Sequence, residues 1–539
     1  MKNLTRRDAL KLASVGAAAA LQSSTLSAVE SPRTPTPVWE VFELVLKRPS
    51  AETPFPSAAN PFIEAQLTAS FSLGHRTISV DGFYDGDGVY RIRFMPDVPG
   101  LWRYKTQSNL PQLDAQEGSF QATPPLPGAH GPVRVCNTHH FAYADNTPFF
   151  PFGTTSYAWI HQPEALQRQT LNTLRTAPFN KIRMCVFPKS YEYNHNEPAL
   201  YPFERGAAGA SDFTRPNPAF FRHLEQRIAD LLSLGIEADL ILFHPYDRWG
   251  FATMTPAQDE FYLRYLLSRL SAYRNIWWSL ANEYDLMRAK STADFDRLFH
   301  IVEAADPYQH LRSVHYSHTP YDYAQPWVTH ASLQSSDFTA APAHLAAWSK
   351  PVCYDEIMYE GNLNRRWGNI SGDEMTRRFW LGLIAGCYVT HGETYLDPTQ
   401  PFDENSTPTL FWAHGGPLKG TSPAQIAFLR KLIEETVSPA NAVLGPVRIG
   451  LTAAVNPTYL NATAYAEDGK QAQTILYFFD FHQPIWSDFQ LPPGVFAAEW
   501  IDPLSTTITP QPGMFSGKAT LRLPGHPFMA VRFRLQPPV

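Results

Sequence analysis

Two glutamates stand directly after apolar runs near the middle of the chain. The first run, Trp277-Trp278-Ser279-Leu280-Ala281, continues into Asn282-Glu283-Tyr284-Asp285; the second, Pro351-Val352-Cys353-Tyr354, continues into Asp355-Glu356. A carboxylate at the end of a buried strand does not serve solubility, so both are candidates for chemistry. Two carboxyls on either side of an acetal can divide its hydrolysis. One protonates the leaving oxygen and the other attacks the anomeric carbon, and they lie roughly 5 to 5.5 Å apart when configuration is retained. If Tyr354 points inward, alternation turns Asp355 outward and Glu356 inward, which favours Glu356 over Asp355 and the nearby Glu360.

Other polar residues end or interrupt neighbouring apolar runs. Arg183, inside Lys181-Ile182-Arg183-Met184-Cys185-Val186, is a charge in an apolar strand and needs a buried partner, for which Glu356 is the candidate. Such a pair keeps one carboxylate ionised while Glu283 stays protonated until needed. His244, followed by Tyr246, Asp247 and Trp249, and the stretch Thr390-His391-Gly392-Glu393-Thr394-Tyr395 carry groups that hold hydroxyls. Trp159, Tyr284, Tyr359 and Trp412 carry aromatic faces of the kind on which sugars stack. His315 and His318 belong to the same set.

Bringing these residues together requires a fold that gathers distant strand ends. From about Val133 to Val437, strand-like runs alternate with helical patterns. Asn217 caps one helix with Pro218 at its first position, Leu224, Ile228 and Leu231 form its buried stripe, and Gly235 ends it. Thr255-Pro256-Ala257-Gln258 opens another as a capping box. Eight runs read as strands: Phe149 to Thr154, Lys181 to Phe187, Ala238 to Phe243, Asn275 to Leu280, Leu311 to Tyr316, Trp327 to His330, Pro351 to Tyr354 and Cys387 to Thr390. They predict an α/β chain with a (β/α)₈ barrel over residues 131–438, whose site lies at the C-terminal strand ends. Strands four and seven face each other across such a mouth. On either side the period is two, as in Tyr90, Ile92 and Phe94 or Val531, Phe533 and Leu535. This predicts antiparallel β-sandwiches over residues 38–125 and 441–539, with Pro124 to Gly131 as a boundary.

With Asn282-Glu283 after the fourth strand and Glu356 after the seventh, the chain resembles the large clan of retaining (β/α)₈-barrel glycoside hydrolases. The resemblance implies that Glu283 is the acid/base, that Glu356 is the nucleophile, and that Asn282 holds the hydroxyl next to the anomeric carbon. A narrower resemblance is to three-domain bacterial glycosidases and covers nearly everything after residue 38. It rests on Gly153-Thr154-Thr155-Ser156-Tyr157-Ala158-Trp159, on Trp278 to Asp285, and on Tyr354-Asp355-Glu356 with Tyr359-Glu360-Gly361-Asn362. It implies a carbohydrate substrate and no cofactor or metal, and names no sugar. The chain departs from the clan at strand six, where an orienting tyrosine is usual and Trp327-Val328-Thr329-His330-Ala331-Ser332 has none; His330 or Tyr316 is the expected substitute. Long loops after strand two (Pro188 to Phe213) and strand eight (Tyr395 to Lys419) favour a cleft closed at one end and exo action. Two rival readings stay open. A metal-dependent barrel would use His391, Glu393, His244 and Asp247 as ligands, although its His-Xaa-His is missing from strand one and only His139-His140 comes close. An exported carbohydrate-binding protein would carry an inactive barrel.

The first 28 residues differ from the rest. Thr5-Arg6-Arg7-Asp8-Ala9-Leu10-Lys11, the apolar run Leu12 to Leu21 and Leu26-Ser27-Ala28 resemble a twin-arginine export signal cleaved after Ala28, which predicts a periplasmic or secreted protein. The run is about half the roughly 20 residues needed to span a bilayer, so no membrane partner is expected after cleavage. Residues 29–37, rich in Pro, Ser and Thr, read as a linker. Folding before export suits the four cysteines, Cys136, Cys185, Cys353 and Cys387, which show no CxxC spacing and read as free thiols. A net charge of −6 without a Lys/Arg-rich run argues against nucleic acid. At 539 residues the chain is too long for one core, hence three domains.

Overall fold

In the computed structural model, residues 35–47, 60–397, 399, 410–436, 444–447, 460–467, 474–481, 483 and 485–537 are described. The export-signal reading and most of the linker fall outside them. The centre is a barrel of eight parallel strands: β1 Phe152–Thr155, β2 Lys181–Cys185, β3 Glu237–Phe243, β4 Ile276–Ala281, β5 Arg312–Ser313, β6 Ala331–Gln334, β7 Val352–Glu356 and β8 Tyr388–His391. Their order is β5-β4-β3-β2-β1-β8-β7-β6, and a bridge between His315 and Ser332 joins the two ends. All seven residues of β3 are buried, as expected of a strand covered by helices outside and packed side chains inside.

The helices form where local signals direct them. Asn217 accepts from the Ala219 N–H to start Pro218–Ser233, and Thr255 and Gln258 make a reciprocal capping box at Pro256–Leu270. Gly235, at φ 70°, turns the chain from the first of these into β3.

Several strands differ from the expected runs. Phe149 pairs in a small antiparallel sheet with Val133–Cys136 and His140–Tyr143, which plugs the barrel floor with Val133, Phe141 and Phe149. Pro151, lacking an N–H, separates that sheet from β1. The fifth strand shrinks to Arg312–Ser313. The sixth is Ala331–Gln334 rather than Trp327 to His330. Trp327 lies outside the wall, 4.5 Å from the His300 ring, with its indole N–H donating to Tyr321 at 3.0 Å. Thr36 and Pro37, read as linker, form a short edge strand beside Ala122 and Thr123, where a proline costs no ladder bond.

An N-terminal seven-stranded antiparallel-dominated sheet curls around Phe42, Phe71, Phe94, Trp102 and Phe120. Arg93 ties it to the barrel through Glu225, and Asp85 through Arg269. C-terminal sheets of six and two strands enclose Tyr477, Phe489 and Phe533. There Arg377 of the barrel pairs with Asp480 (2.5 Å), and Trp380 stacks on Phe478 (5.4 Å). No helix among the described residues is long and apolar enough to cross a membrane.

Candidate active site

At the C-terminal ends of the strands lies a cavity of about 500 Å³, lined by Glu283 and Glu356 together with Tyr157, Lys189, Tyr246, Asn282, Gln334 and Tyr359. Both glutamates are nearly buried, at 7% and 8% exposure. Glu283 leaves β4 in the left-handed region (φ 51°, ψ 54°), a conformation a non-glycine residue holds only when its surroundings impose it. Tyr246 donates its hydroxyl to Glu283 Oε2, and Asn282 Nδ2 adds a 3.3 Å bond. With the Gln334 amide oriented to satisfy its surroundings, its nitrogen donates to Glu283 Oε1 (3.2 Å) and to the Tyr316 carbonyl (3.0 Å).

Glu356 is held separately. The Tyr157 hydroxyl donates to Glu356 Oε1 and lies 2.9 Å from the Tyr359 hydroxyl. Arg183 Nη1 stands 3.7 Å from Glu356 Oε1, while Nη2 donates to Asn282 Oδ1 (2.9 Å). The candidate partner of Arg183 is therefore in place. His315 Nδ1 accepts from the Glu283 N–H, so its Nε2 carries the proton, 3.8 Å from Glu356 Oε1. Burial, and then Arg183, push the His315 pKa far down, so this imidazole is neutral. Burial, and next the charge of Glu283, raise Glu356; Arg183, Tyr157 and Lys189 pull it back.

The alternation argument fails at β7. Tyr354 points outward, 4.7 Å from Phe338, and Asp355 points into the lumen. Leu333 pairs with Tyr354 but Gln334 pairs with Glu356, so Asp355 is the extra residue of a β-bulge, which brings Glu356 round to the mouth. Below it, Lys181 Nζ donates to Asp239 and Asp355, each at 2.9 Å, and Ser332 and Thr390 give Asp355 their hydroxyls. Burial pushes Asp355 up, yet Lys181, Arg183 and these hydroxyls hold it well below the usual carboxylate range.

Several expected sugar contacts lie behind the cavity wall. Trp412 is fully buried, its indole N–H donating to Thr154 (2.7 Å), since a buried indole must place its donor. Trp159 is fully buried in the main core. Tyr284 packs on Phe295 (5.1 Å) and Tyr321 (5.7 Å). His244 turns its Nε2 to the Phe187 carbonyl (3.2 Å), and His391 stacks on Phe179 (4.7 Å) with Nδ1 beside Thr154 (3.0 Å). Neither expected substitute for the strand-six tyrosine touches Glu356. His330 sits at the floor beside Trp277 (5.2 Å), because the sixth strand starts one residue after it, and Tyr316 meets Gln334 through its carbonyl. His318 is exposed.

Glu393 does line the cavity, but the Lys419 and Gly420 N–H groups occupy its oxygens. It stands with His391 and Glu360, whose ligand-type atoms lie within 4.8 Å of one another. Glu360 already accepts from Thr421 N–H, Ser422 N–H, Ser422 Oγ and Tyr395 Oη, which fills its lone pairs. Asp247 bonds the Trp249 and Ala252 N–H groups and does not join a ligand set. The trio is a lock on the turn before helix Ser422–Thr436.

Among the residues around the two glutamates, Tyr157, Lys189 and Gln334 were not singled out in the sequence, and Tyr246 was named only beside His244. Tyr157 lies within the Gly153 to Trp159 motif, which was the available signal. Lys189 and Tyr246 follow strands β2 and β3 by several residues, and Gln334 became legible only once the sixth strand moved.

Comparison with known proteins identifies the family of the barrel. The family model described as "Apiosidase-like, catalytic domain" matches residues 136–437, and two domains of unknown function, DUF5060 and DUF5605, match residues 35–109 and 463–534. No curated protein matches the chain. A crystal structure of a "putative glycoside hydrolase" from Bacteroides vulgatus ATCC 8482 is 38% identical, with 93% of this chain and 99% of that one covered and a TM-score of 0.83. A glycoside hydrolase family 5 structure from the same organism, 16% identical over 75% of this chain and 94% of that one, shares the fold at a TM-score of 0.56. Matched over more than half its length, the chain belongs to the apiosidase-like catalytic-domain family, and its barrel is a glycoside hydrolase barrel.

Proposed function

We propose that the chain is a retaining exo-glycosidase in which Glu283 is the acid/base and Glu356 the nucleophile. One observation carries the reading: two buried glutamates, from β4 and β7, share a single cavity while each is clamped by its own tyrosine. In the first step Glu283 gives its proton to the glycosidic oxygen as Glu356 attacks the anomeric carbon, releasing the leaving group and forming a glycosyl ester. In the second, water adds to that carbon, its proton passes to Glu283, and the ester bond breaks. Asn282, oriented by Arg183, holds the neighbouring hydroxyl. The mechanism needs no cofactor.

Exo action is supported by the wall. Glu192, in the loop after β2, pairs with Arg365, after β7 (2.9 Å), and Tyr193 meets Trp367 edge to face (6.1 Å). This closes one side of the cavity. Export through the twin-arginine pathway would place the enzyme where it meets polysaccharide fragments.

The test is a panel of aryl pentofuranosides, including apiofuranosides, and hexopyranosides of both anomers, with wild type, Glu283→Ala and Glu356→Ala compared in the presence of azide. Rescue of Glu356→Ala to a glycosyl azide of inverted configuration supports the assignment. Cleavage by wild type with both variants undiminished would discard it, and mid-length oligosaccharides as first products would discard exo action.

A further inference from the structure

Lys189 belongs to the reaction centre but has no partner of its own. Its Nζ lies 3.6 Å from the centroid of the Tyr157 ring, 4.2 Å from Tyr246 and 4.9 Å from Tyr191. The residue is 5% exposed and lines the cavity. Among the described residues no carboxylate pairs with it and no acceptor takes its protons. Ring faces attract an ammonium, but they do not cancel its charge. Two of the three rings carry the hydroxyls that hold Glu356 and Glu283, so the ammonium sits between the two acids.

The reason for a buried, unpaired cation emerges from the charges around it. Around the cavity and just beneath it are buried three cations, Lys181, Arg183 and Lys189, and six carboxylates, Asp239, Asp355, Glu283, Glu356, Glu360 and Glu393; burial lowers the Lys189 pKa, and the nearby Glu283 and Glu356 pull it back up. The histidines nearby do not enter the balance, since burial pushes His244 down to about 3, His414 to about 4 and His315 well below its ordinary value. Cys185 is pushed up to about 12, and Tyr157, Tyr191, Tyr246 and Tyr359 are raised by burial, so all stay neutral. Glu393 and Glu360 accept from backbone N–H groups, which hold their charge without cancelling it, and Glu192 pairs with Arg365 at the rim. A buried net negative charge is costly, so a cation stabilises the ionised form of the carboxylates it faces. Lys181 is engaged by Asp239 and Asp355, and Arg183 by Asn282 and the Asp355 carbonyl, which leaves Lys189 beside Glu283 and Glu356 as the cation without a bonded partner among the described residues.

We propose that Lys189 is the counter-charge of the glutamate pair, favouring the ionised form of the nucleophile Glu356. It is a positioning residue that acts through the two glutamates. Without it, the carboxylates would face one another with less opposing charge, and Glu356 would take up its proton at higher pH. The excess of carboxylates also disfavours a carboxylate-bearing sugar, which would bring a further negative charge to the cavity. The inference rests on the glycosidase reading for its meaning. The charge balance itself can be tested without turnover.

The experiment is an infrared titration of the carboxylic C=O stretch in the full chain, differenced against Glu356→Gln, for wild type, Lys189→Met and Lys189→Arg. Lys189→Gln replaces the methionine variant if that one misfolds. Removing the cation is expected to move the Glu356 midpoint up by about one to two pH units, and arginine is expected to restore it. Coincident midpoints in all three proteins would overturn the proposal, whether or not a substrate is known. Where the glycoside panel yields a substrate, the acid limb of kcat/KM should move with the infrared midpoint, and the matching aryl uronide should be cleaved far more slowly. A uronide cleaved as well as its neutral parent would also overturn it.

Discussion

The Tyr157 hydroxyl, carried by the loop after β1, donates to the Glu356 carboxylate at the end of β7, across two strand connections of the barrel mouth. It supplies the orienting bond expected from strand six. The same hydroxyl touches that of Tyr359, so the carboxylate is aimed from two directions. Tyr157→Phe should lower kcat by roughly 10- to 100-fold, the worth of one hydrogen bond to a charged group, with KM changed much less. Steady-state kinetics on the substrate found by the glycoside panel checks this; an equal loss in a Trp159→Phe control, which touches only the core, would refute the orienting role.

Glu283 receives Tyr246, Asn282 and Gln334 and sits on a left-handed backbone. As the proposed proton donor, it should matter most when the leaving group is poor. Glu283→Gln should therefore cost about 10²- to 10⁴-fold on alkyl glycosides and considerably less on dinitrophenyl glycosides. A Brønsted plot of log(kcat/KM) against leaving-group pKa, steeper for the variant than for wild type, is the expected result.

The barrel and both glutamates could be read from sequence because each leaves a local trace: a long apolar run, a capped helix, an Asn-Glu pair after a strand. The stacking aromatics could not. Trp412 and Trp159 have the composition of sugar platforms, but whether an indole faces a cavity or the core depends on the turn beneath it. Trp412 sits at φ 69° and folds under Thr154. Asp355 and Glu356 show the same limit, since strict alternation assigns the wrong one to the lumen and only the bulge at β7 reconciles them. Lys189 lay in a loop with no periodicity to mark it.

Beneath the site, Lys181 is the single ammonium shared by Asp239 and Asp355. Removing it leaves two buried carboxylates facing each other, and breaking such a group costs about 3 to 5 kcal/mol. Lys181→Met is expected to lose that much in urea denaturation at neutral pH, with the deficit shrinking on acidification as the aspartates become able to protonate. A variant as stable as wild type would mean that Ser332 and Thr390 suffice to hold Asp355.

At the floor of the barrel, Glu237 opens β3 with one side-chain donor, the Trp277 indole N–H at 3.1 Å. Burial raises its pKa to about 8, against which Trp277, Arg274 and Arg134 pull only partly. Folded chains therefore keep this proton up to about pH 8, whereas unfolded chains release it near the ordinary glutamate value of about 4.3. Between those limits the folded state binds more protons, so stability contributed by Glu237 is present at low pH and lost as pH rises toward 8. Glu237→Gln, which keeps the shape and cannot ionise, should match wild type in Tm near pH 4.5 and exceed it progressively up to pH 8. Calorimetric scans of both proteins across that window decide it, and a constant offset at every pH would show that the carboxyl is already ionised in the fold.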